Sequence, residues 1–431
     1  MIDPHGGNLI IKNAEELVSV SGFSAKKGSA MADLGIIRDG ALVIDNGIIT
    51  RVGPTDEVLT GIDSVRYSVI DATGKAVLPG FVDAHTHFVF GGYRAEEFCF
   101  RLRGMSYMEI MQRGGGIASS VEATKSATKD QLIMSGKTRL DRMLSFGVTT
   151  IEGKSGYGLD LETEIKQLEV MKALDACHPV DIARTFLGAH AIPKKYRGDP
   201  DGYTDHIIRE VLPEIARRGL AEFCDVFCEK GVFDLAQSRR LLEAAGTFGL
   251  VPKLHADELT PLGGAELAAE LGAVSADHLL YASEDGIARM VARNVVAVLL
   301  PATAFSLKEP YAPARMMIDR GCAVALATDF NPGSCFSESI PLIFALATLY
   351  MGMTPEEAVT ACTLNGAAAL SRAGIVGSLD PGKQGDVVIL EFPSYLFIPY
   401  HVGVNCVEKV VKRGKVVYDP ATRERGNVTC S

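Results

Sequence analysis

A chain of 431 residues is too long for one small domain, and its length suits a large α/β barrel with one satellite domain. A formal net charge of -10 argues against a nucleic-acid partner, and no uninterrupted apolar run reaches membrane-spanning length. The nine cysteines are odd in number and scattered, and Met1 to Gly7 carry no signal-peptide pattern, which points to free thiols and a cytoplasmic protein.

The predicted elements begin with short β-strands from about Leu9 to Ala76. Ala41 to Ile44 meets Asp45-Asn46-Gly47 and then Ile48 to Val52. An Asn-Gly between two β-branched runs is a strong hairpin signal. The C-terminal region has the same texture, in Gly385 to Leu390, Val407 to Val411 and Val416 to Tyr418. Two β-rich ends around a different middle are expected to pair into one β-sandwich domain, residues 1–78 together with 376–431.

Residues 79–375 alternate strand and helix. Candidate strands are Gly80–His87, Val148–Lys154, Ile182–Gly188, Phe223–Cys228, Val251–Ala256, Ala273–Leu279, Val295–Pro301 and Ala323–Asp329. Amphipathic stretches between them include Asp130–Ser145, Leu161–Ala176, Asp205–Arg218, Leu235–Phe248 and Leu262–Leu271, and Met353–Ser371 reads as further helix. Thr128 to Gln131 has the form of a helix start. Eight strands alternating with helices predict a (β/α)₈ TIM-like barrel.

Function in such a barrel collects at the C-terminal strand ends. Strand one ends in Asp83-Ala84-His85-Thr86-His87, and residues i and i+2 of a strand face the same way, so two imidazoles are presented together. Strand five ends in His255, strand six in His278 and strand eight in Asp329. These are the side chains that a divalent metal takes as ligands. Three neutral imidazoles and a carboxylate leave room for a water, whose pKa the metal lowers. Glu258, three residues after His255, stands where a proton shuttle is needed, and His278 can orient the attacking group or polarise the attacked one.

The His-x-His, the His-x-x-Glu, the later His and the Asp resemble the metal-dependent amidohydrolase superfamily, as does the Gly382–Asp386 run Gly-Lys-x-Gly-Asp. Longer runs resemble one family within it, the imidazolonepropionases of histidine degradation. They are Phe90 to Phe98, Gly114 to Ile117, Glu152 to Leu159, Phe186 to His190 and Asp329 to Ser334. The resemblance implies hydrolysis of the ring amide of 4-imidazolone-5-propanoate to N-formimino-L-glutamate. It implies one metal ion, zinc or iron, held by His85, His87, His255 and Asp329. It implies Glu258 and His278 as the acid/base pair, with Asp329 beside them. Arg94, Tyr157 and His190 are then the substrate-holding residues, with Glu258, Asn331, Gly333 and Ser334 against the same molecule and Tyr107 as a further carboxylate contact. The substrate is small and anionic, and a planar Arg94 fork suits its carboxylate. The family expectation for the assembly is a homodimer.

Some relatives in the superfamily use a carboxylated lysine between two metals, a place that Lys154 or Lys230 could fill. Glu258 as shuttle favours one metal instead. The alternative activity on the same motif is that of an aminohydrolase resembling cytosine or guanine deaminases, from which only the substrate-holding residues separate this chain.

Overall fold

A computed structural model describes residues 7–105, 109 and 115–421. The middle of the sequence forms an eight-stranded parallel sheet. We label its strands β1 (Phe81–Asp83), β2 (Val148–Lys154), β3 (Asp181–Ala189), β4 (Phe223–Cys228), β5 (Val251–Ala256), β6 (Ser275–His278), β7 (Val296–Leu299) and β8 (Val324–Leu326). Each pairs with its neighbours in sequence, as a (β/α)₈ barrel requires.

The ring closes between β8 and β1 through the segments that follow them. Thr86 bridges Phe330, the Asp329 N–H donates to the His85 carbonyl at 3.0 Å, and the His87 N–H donates to the Phe330 carbonyl at 2.9 Å. The Asp83 carboxylate staples the same seam, accepting from the Thr328 N–H at 2.9 Å and its hydroxyl at 2.6 Å. The first strand is therefore shorter than the predicted Gly80–His87. Its two histidines are held by the seam and not by a regular ladder, yet their ring centroids still lie 5.3 Å apart.

Helices cover the outside of the barrel, among them Lys129–Ser145, Leu161–Cys177, Leu235–Thr247 and Gly264–Leu271. Their starts follow local chemistry: Thr128 and Gln131 exchange the two bonds of a capping box, and Asp160 caps the next helix. The stretch read as one helix over Asp205–Arg218 is divided. A π-helical turn at Ile207–Val211 separates Pro200–His206 from Leu212–Arg218. Pro213 has no N–H to continue the regular ladder, and the wider turn absorbs that loss. Met353–Ser371 is likewise two short helices, Pro355–Ala361 and Leu364–Ala369.

The chain ends form two further sheets. One runs in the order Ile48–Pro54, Gly40–Asp45, Leu9–Ala14, Ser68–Asp71. The other joins both ends of the chain, Val387–Leu390 pairing antiparallel with Ala76–Pro79 in the register Val388↔Leu78. Leu9, Ile11, Leu42 and Ile44 of the first sheet share one buried cluster with Leu17, Val77, Val387 and Ile389 of the second, so the sheets face each other as a sandwich. The Asn46-Gly47 turn takes positive φ at both residues, 51° and 82°, as the hairpin signal demands. Among the described residues no helix is long and apolar enough to cross a membrane.

Candidate active site

Four side chains from three places in the sequence meet at the barrel seam. His85 Nε2 and His87 Nε2 lie 3.5 Å and 3.7 Å from Asp329 Oδ1, and the His85 and His255 ring centroids are 4.6 Å apart. Ligand atoms of His85, His87 and His255 fall within 4.8 Å of one another, and so do those of His85, His278 and Asp329. All are buried, and His85 Nε2 has no hydrogen-bond partner among the described residues. A buried lone pair left unused at the centre of such a cluster fits a metal ligand, and the donor set fits the metal these residues were expected to hold. Burial, and after it the neighbouring cations or imidazoles, holds His85, His87 and His278 well below the usual histidine range, so these three rings are neutral, whereas at His255 burial is outweighed by the Asp225 carboxylate, which raises it.

Charged side chains under the cluster aim its imidazoles. His85 Nδ1–H donates to Asp277 Oδ2 at 2.7 Å, and His255 Nδ1 lies 2.9 Å from Asp225 Oδ2, which turns each Nε2 toward the ion site. Both aspartates converge on Lys154, whose ammonium lies 2.6 Å from Asp225, 3.0 Å from Glu152 and 3.2 Å from Asp277. Lys253 closes the group, 3.0 Å from the other Glu152 oxygen. All five are fully buried. Burial opposes the Lys154 charge, but the carboxylates outweigh it and keep the lysine cationic. Three carboxylates against two ammoniums leave one net negative charge beneath the histidines, which favours a cation above them. Lys154 is thus an ion-pair hub and Lys230 is exposed, so neither stands free to bridge two metals.

Glu258 sits on the loop leaving β5, with its side chain 14% exposed and Oε2 3.5 Å from His278 Nε2. Two buried carboxylates shape that loop. Asp257 accepts from the N–H groups of Gly263, Gly264 and Ala265, and Glu229 accepts from those of Leu259 and Thr260. Burial first, and then the charge of Asp329, pushes the Glu258 carboxyl up to about 8, and burial pushes Asp329 up to about 6. Asp257, His278 and Asp329 take positive φ of 50°, 75° and 50°, a strained conformation that clusters at working sites.

Above the cluster opens a cavity of about 470 Å³. Its walls include His87, Arg94, Tyr157, His190, His255, Glu258, His278, Asp329, Asn331, Gly333 and Ser334, so the expected site residues converge there. His85 lies beneath it, and Tyr107 and Gly114 fall outside the described residues. His87, Tyr157 and His190 form an aromatic wall, with His87 and His190 stacked at 5.0 Å. His190 Nδ1–H donates to the Gly156 carbonyl at 3.1 Å, which leaves Nε2 an acceptor, and burial lowers this histidine to about 3. The buried Glu164 carboxylate holds the adjoining loop by accepting from the N–H groups of Gly156, Gly158 and Leu159. Asn331 uses its side chain within its own loop, accepting from Gly333 and Ser334 and donating to the Asp329 carbonyl and the Ser334 hydroxyl.

Sequence reasoning missed Asp225, Asp277, Glu164, Glu97 and Arg101. A signal for the first two existed: strands of a parallel sheet are ordinarily apolar, so a charge inside Phe223–Cys228 or beside His278 is anomalous. Glu97 and Arg101 carried none, because a helix face with charges reads as solvated.

Fold and site together define a metal-dependent amidohydrolase. Sequence profiles of the amidohydrolase family match residues 68–118 and 253–417. The chain is 59% identical to an imidazolonepropionase of Clostridium tetani, across 96% of this chain and 98% of that one, and 61% identical to one of Bacteroides fragilis, across 94% and 98%. It belongs to the imidazolonepropionase family. Solved structures similar in fold include an adenosine deaminase from Xanthomonas campestris with bound zinc and a triazine hydrolase variant. Their TM-scores are 0.66 and 0.74, their identities 20% and 14%, and the matches cover at least 95% of each chain.

Proposed function

We propose that this chain hydrolyses the ring amide of 4-imidazolone-5-propanoate, giving N-formimino-L-glutamate, as a step of histidine breakdown. The observation that carries the reading is near-complete coverage at 59% identity to imidazolonepropionases, with the ligand-type and shuttle residues gathered in one cavity. His85, His87, His255 and Asp329 would hold one ion, and three imidazoles with a carboxylate suit zinc and iron alike. When bound, the ion supplies Lewis-acid polarisation and lowers the pKa of a water.

The protein residues do the rest. Glu258 takes the proton of the attacking water as the new C–O bond forms, and returns it to the ring nitrogen as the C–N bond breaks. A carboxyl raised toward neutrality suits both transfers. His278, neutral and beside Glu258, donates to the carbonyl oxygen as negative charge gathers there. His190 offers an acceptor lone pair, so it receives a ring N–H rather than binding the carbonyl. Tyr157 and His87 flank the ring.

The test is loss of the imidazolone ultraviolet absorbance with purified protein, before and after chelation and after reloading with zinc or iron. Turnover at an unchanged rate in verified metal-free protein would overturn the reading. Ammonia release from a nucleobase, without action on the imidazolone, would assign the aminohydrolase alternative.

A further inference from the structure

Strand β7 lies between the strands of His278 and Asp329, yet Val296-Ala297-Val298-Leu299 is apolar throughout and gives the cluster no side chain of its own. Its contribution comes one turn later. Pro301 opens the helix Pro301–Leu307 directly after the strand, and the fixed φ of a proline at the first helical position suits so abrupt a start. Thr303 is third in this helix and only 3% exposed. A threonine inside a helix commonly bonds back to a carbonyl one turn earlier. Here it turns to the site instead: the Thr303 hydroxyl donates to Asp329 Oδ2 at 2.6 Å.

That bond separates the two oxygens of the Asp329 carboxylate. Oδ1 is the one that lies 3.5 Å and 3.7 Å from the Nε2 atoms of His85 and His87, while Oδ2 is taken by the hydroxyl. The backbone of Asp329 is fixed by other contacts, its N–H on the His85 carbonyl and its own carbonyl accepting from Asn331 Nδ2 at 2.7 Å. What remains free is rotation of the carboxylate about its terminal torsion, which is intrinsically soft. A carboxylate can give an ion one oxygen or two. A second oxygen here would fill the position that a catalytic ion keeps open for water.

We propose that Thr303 is a positioning residue that holds Asp329 to a single ligating oxygen and so keeps the ion's open position open. The inference rests on the function proposed above for the reaction it serves. Thr303 acts through Asp329 and not on the substrate, so its loss should leave the ion in place and remove the room beside it.

The experiment uses the metal-loaded full chain as Thr303→Val, whose methyl fills the place of the hydroxyl, and as Thr303→Ser, which restores the donor. Thr303→Val is expected to lower kcat on 4-imidazolone-5-propanoate about 10–100-fold with KM near wild type. Ion affinity in competition with a chelator is expected to stay at the wild-type value or to tighten, because the freed oxygen becomes a further ligand. A residue that merely supported the site would lose affinity and rate together. Azide reports the open position directly: it is expected to shift the visible spectrum of the cobalt-loaded wild type and to lose most of that response in Thr303→Val. Thr303→Ser is expected to recover both the rate and the azide response. An undiminished rate, a fall in ion affinity alongside the rate, or a full azide response in Thr303→Val would each overturn the inference, as would a serine variant as slow as the valine one. Wild type inactive on the imidazolone would instead remove the proposed function, and the chelator and azide measurements would still decide what Thr303 does to Asp329.

Discussion

Two buried lysines show how differently the two ends of the barrel are built. Lys412, where the sandwich meets the barrel, uses all three ammonium protons on Thr149 O, Asp181 and Asp386 at 3.0, 2.7 and 2.7 Å. Its network is closed: the other oxygens of Asp386 and Asp181 accept from the Arg413 N–H and guanidinium at 3.0 and 2.9 Å. Lys154, inside the barrel, meets three carboxylates, and two of these continue to His85 and His255, whose Nε2 atoms face the ion site. One network ends in itself and serves stability. The other ends in unused lone pairs, raised carboxyl pKa values and positive φ angles, and serves chemistry. Substitutions at the open end should therefore change rate or ion affinity with little loss of stability, and substitutions at the closed end should do the reverse.

The largest effect belongs to Glu258→Gln. Loss of a positioned proton carrier is expected to lower kcat by about 10²–10⁴-fold, with ion content and melting temperature held near wild type. Retention of a tenth or more of the rate in steady-state assays would take proton transfer away from this residue. Next is Lys412→Met at the closed end. It leaves buried Asp386 without its partner, so it should cost about 3–5 kcal/mol in urea unfolding while kcat/KM of the folded protein stays at the wild-type value. A fall in kcat/KM at a permissive temperature would break the division between the two ends. Smaller again is Asp277→Asn. The amide can present its N–H to His85 Nδ1 and turn the imidazole to the wrong tautomer, so ion affinity should fall about 10–100-fold in competition with a chelator.

The same division explains what could be read from the amino-acid order. The eight strands were legible because short apolar runs recur between amphipathic stretches. The buried cluster was legible because His85, His87, His255, His278 and Asp329 each terminate such a run. The sandwich followed from the Asn46-Gly47 turn and from two ends of one texture. Partners distant in sequence were not legible. Nothing local announces that Asp277 meets His85, 192 positions away, or that Thr328 meets Asp83 across 245. Nor could the resemblance show that Glu97 pairs with Arg94, because that depends on the path of one helix. The shortened first strand has the same origin: its last residues bond to the segment after β8, a pairing set by closure of the ring.

The smallest effect is a pH dependence of the metal-free protein. Burial raises Asp83 to about 7 and Glu258 to about 8, both above their values in an unfolded chain. Between the unfolded and folded pKa values the native state binds more protons, so these two groups make stability fall as pH rises. Above about pH 7.5 the neutral buried histidines no longer oppose the trend, since they have largely lost their protons in the unfolded chain too. His255, raised by Asp225 against its burial, adds to the fall as it deprotonates. From about pH 7.5 to 8.5 the chelated protein should lose about 0.5–1 kcal/mol of stability, visible as a lower melting temperature. Reloading with zinc or iron should flatten the slope, because a cation at the histidines stabilises the ionised carboxylates around it. Glu258→Gln should flatten it in part without any metal. A melting temperature that rises across this window in the chelated protein would mean that the open end is not held by raised carboxyl groups, and the contrast with Lys412 would lose its electrostatic basis.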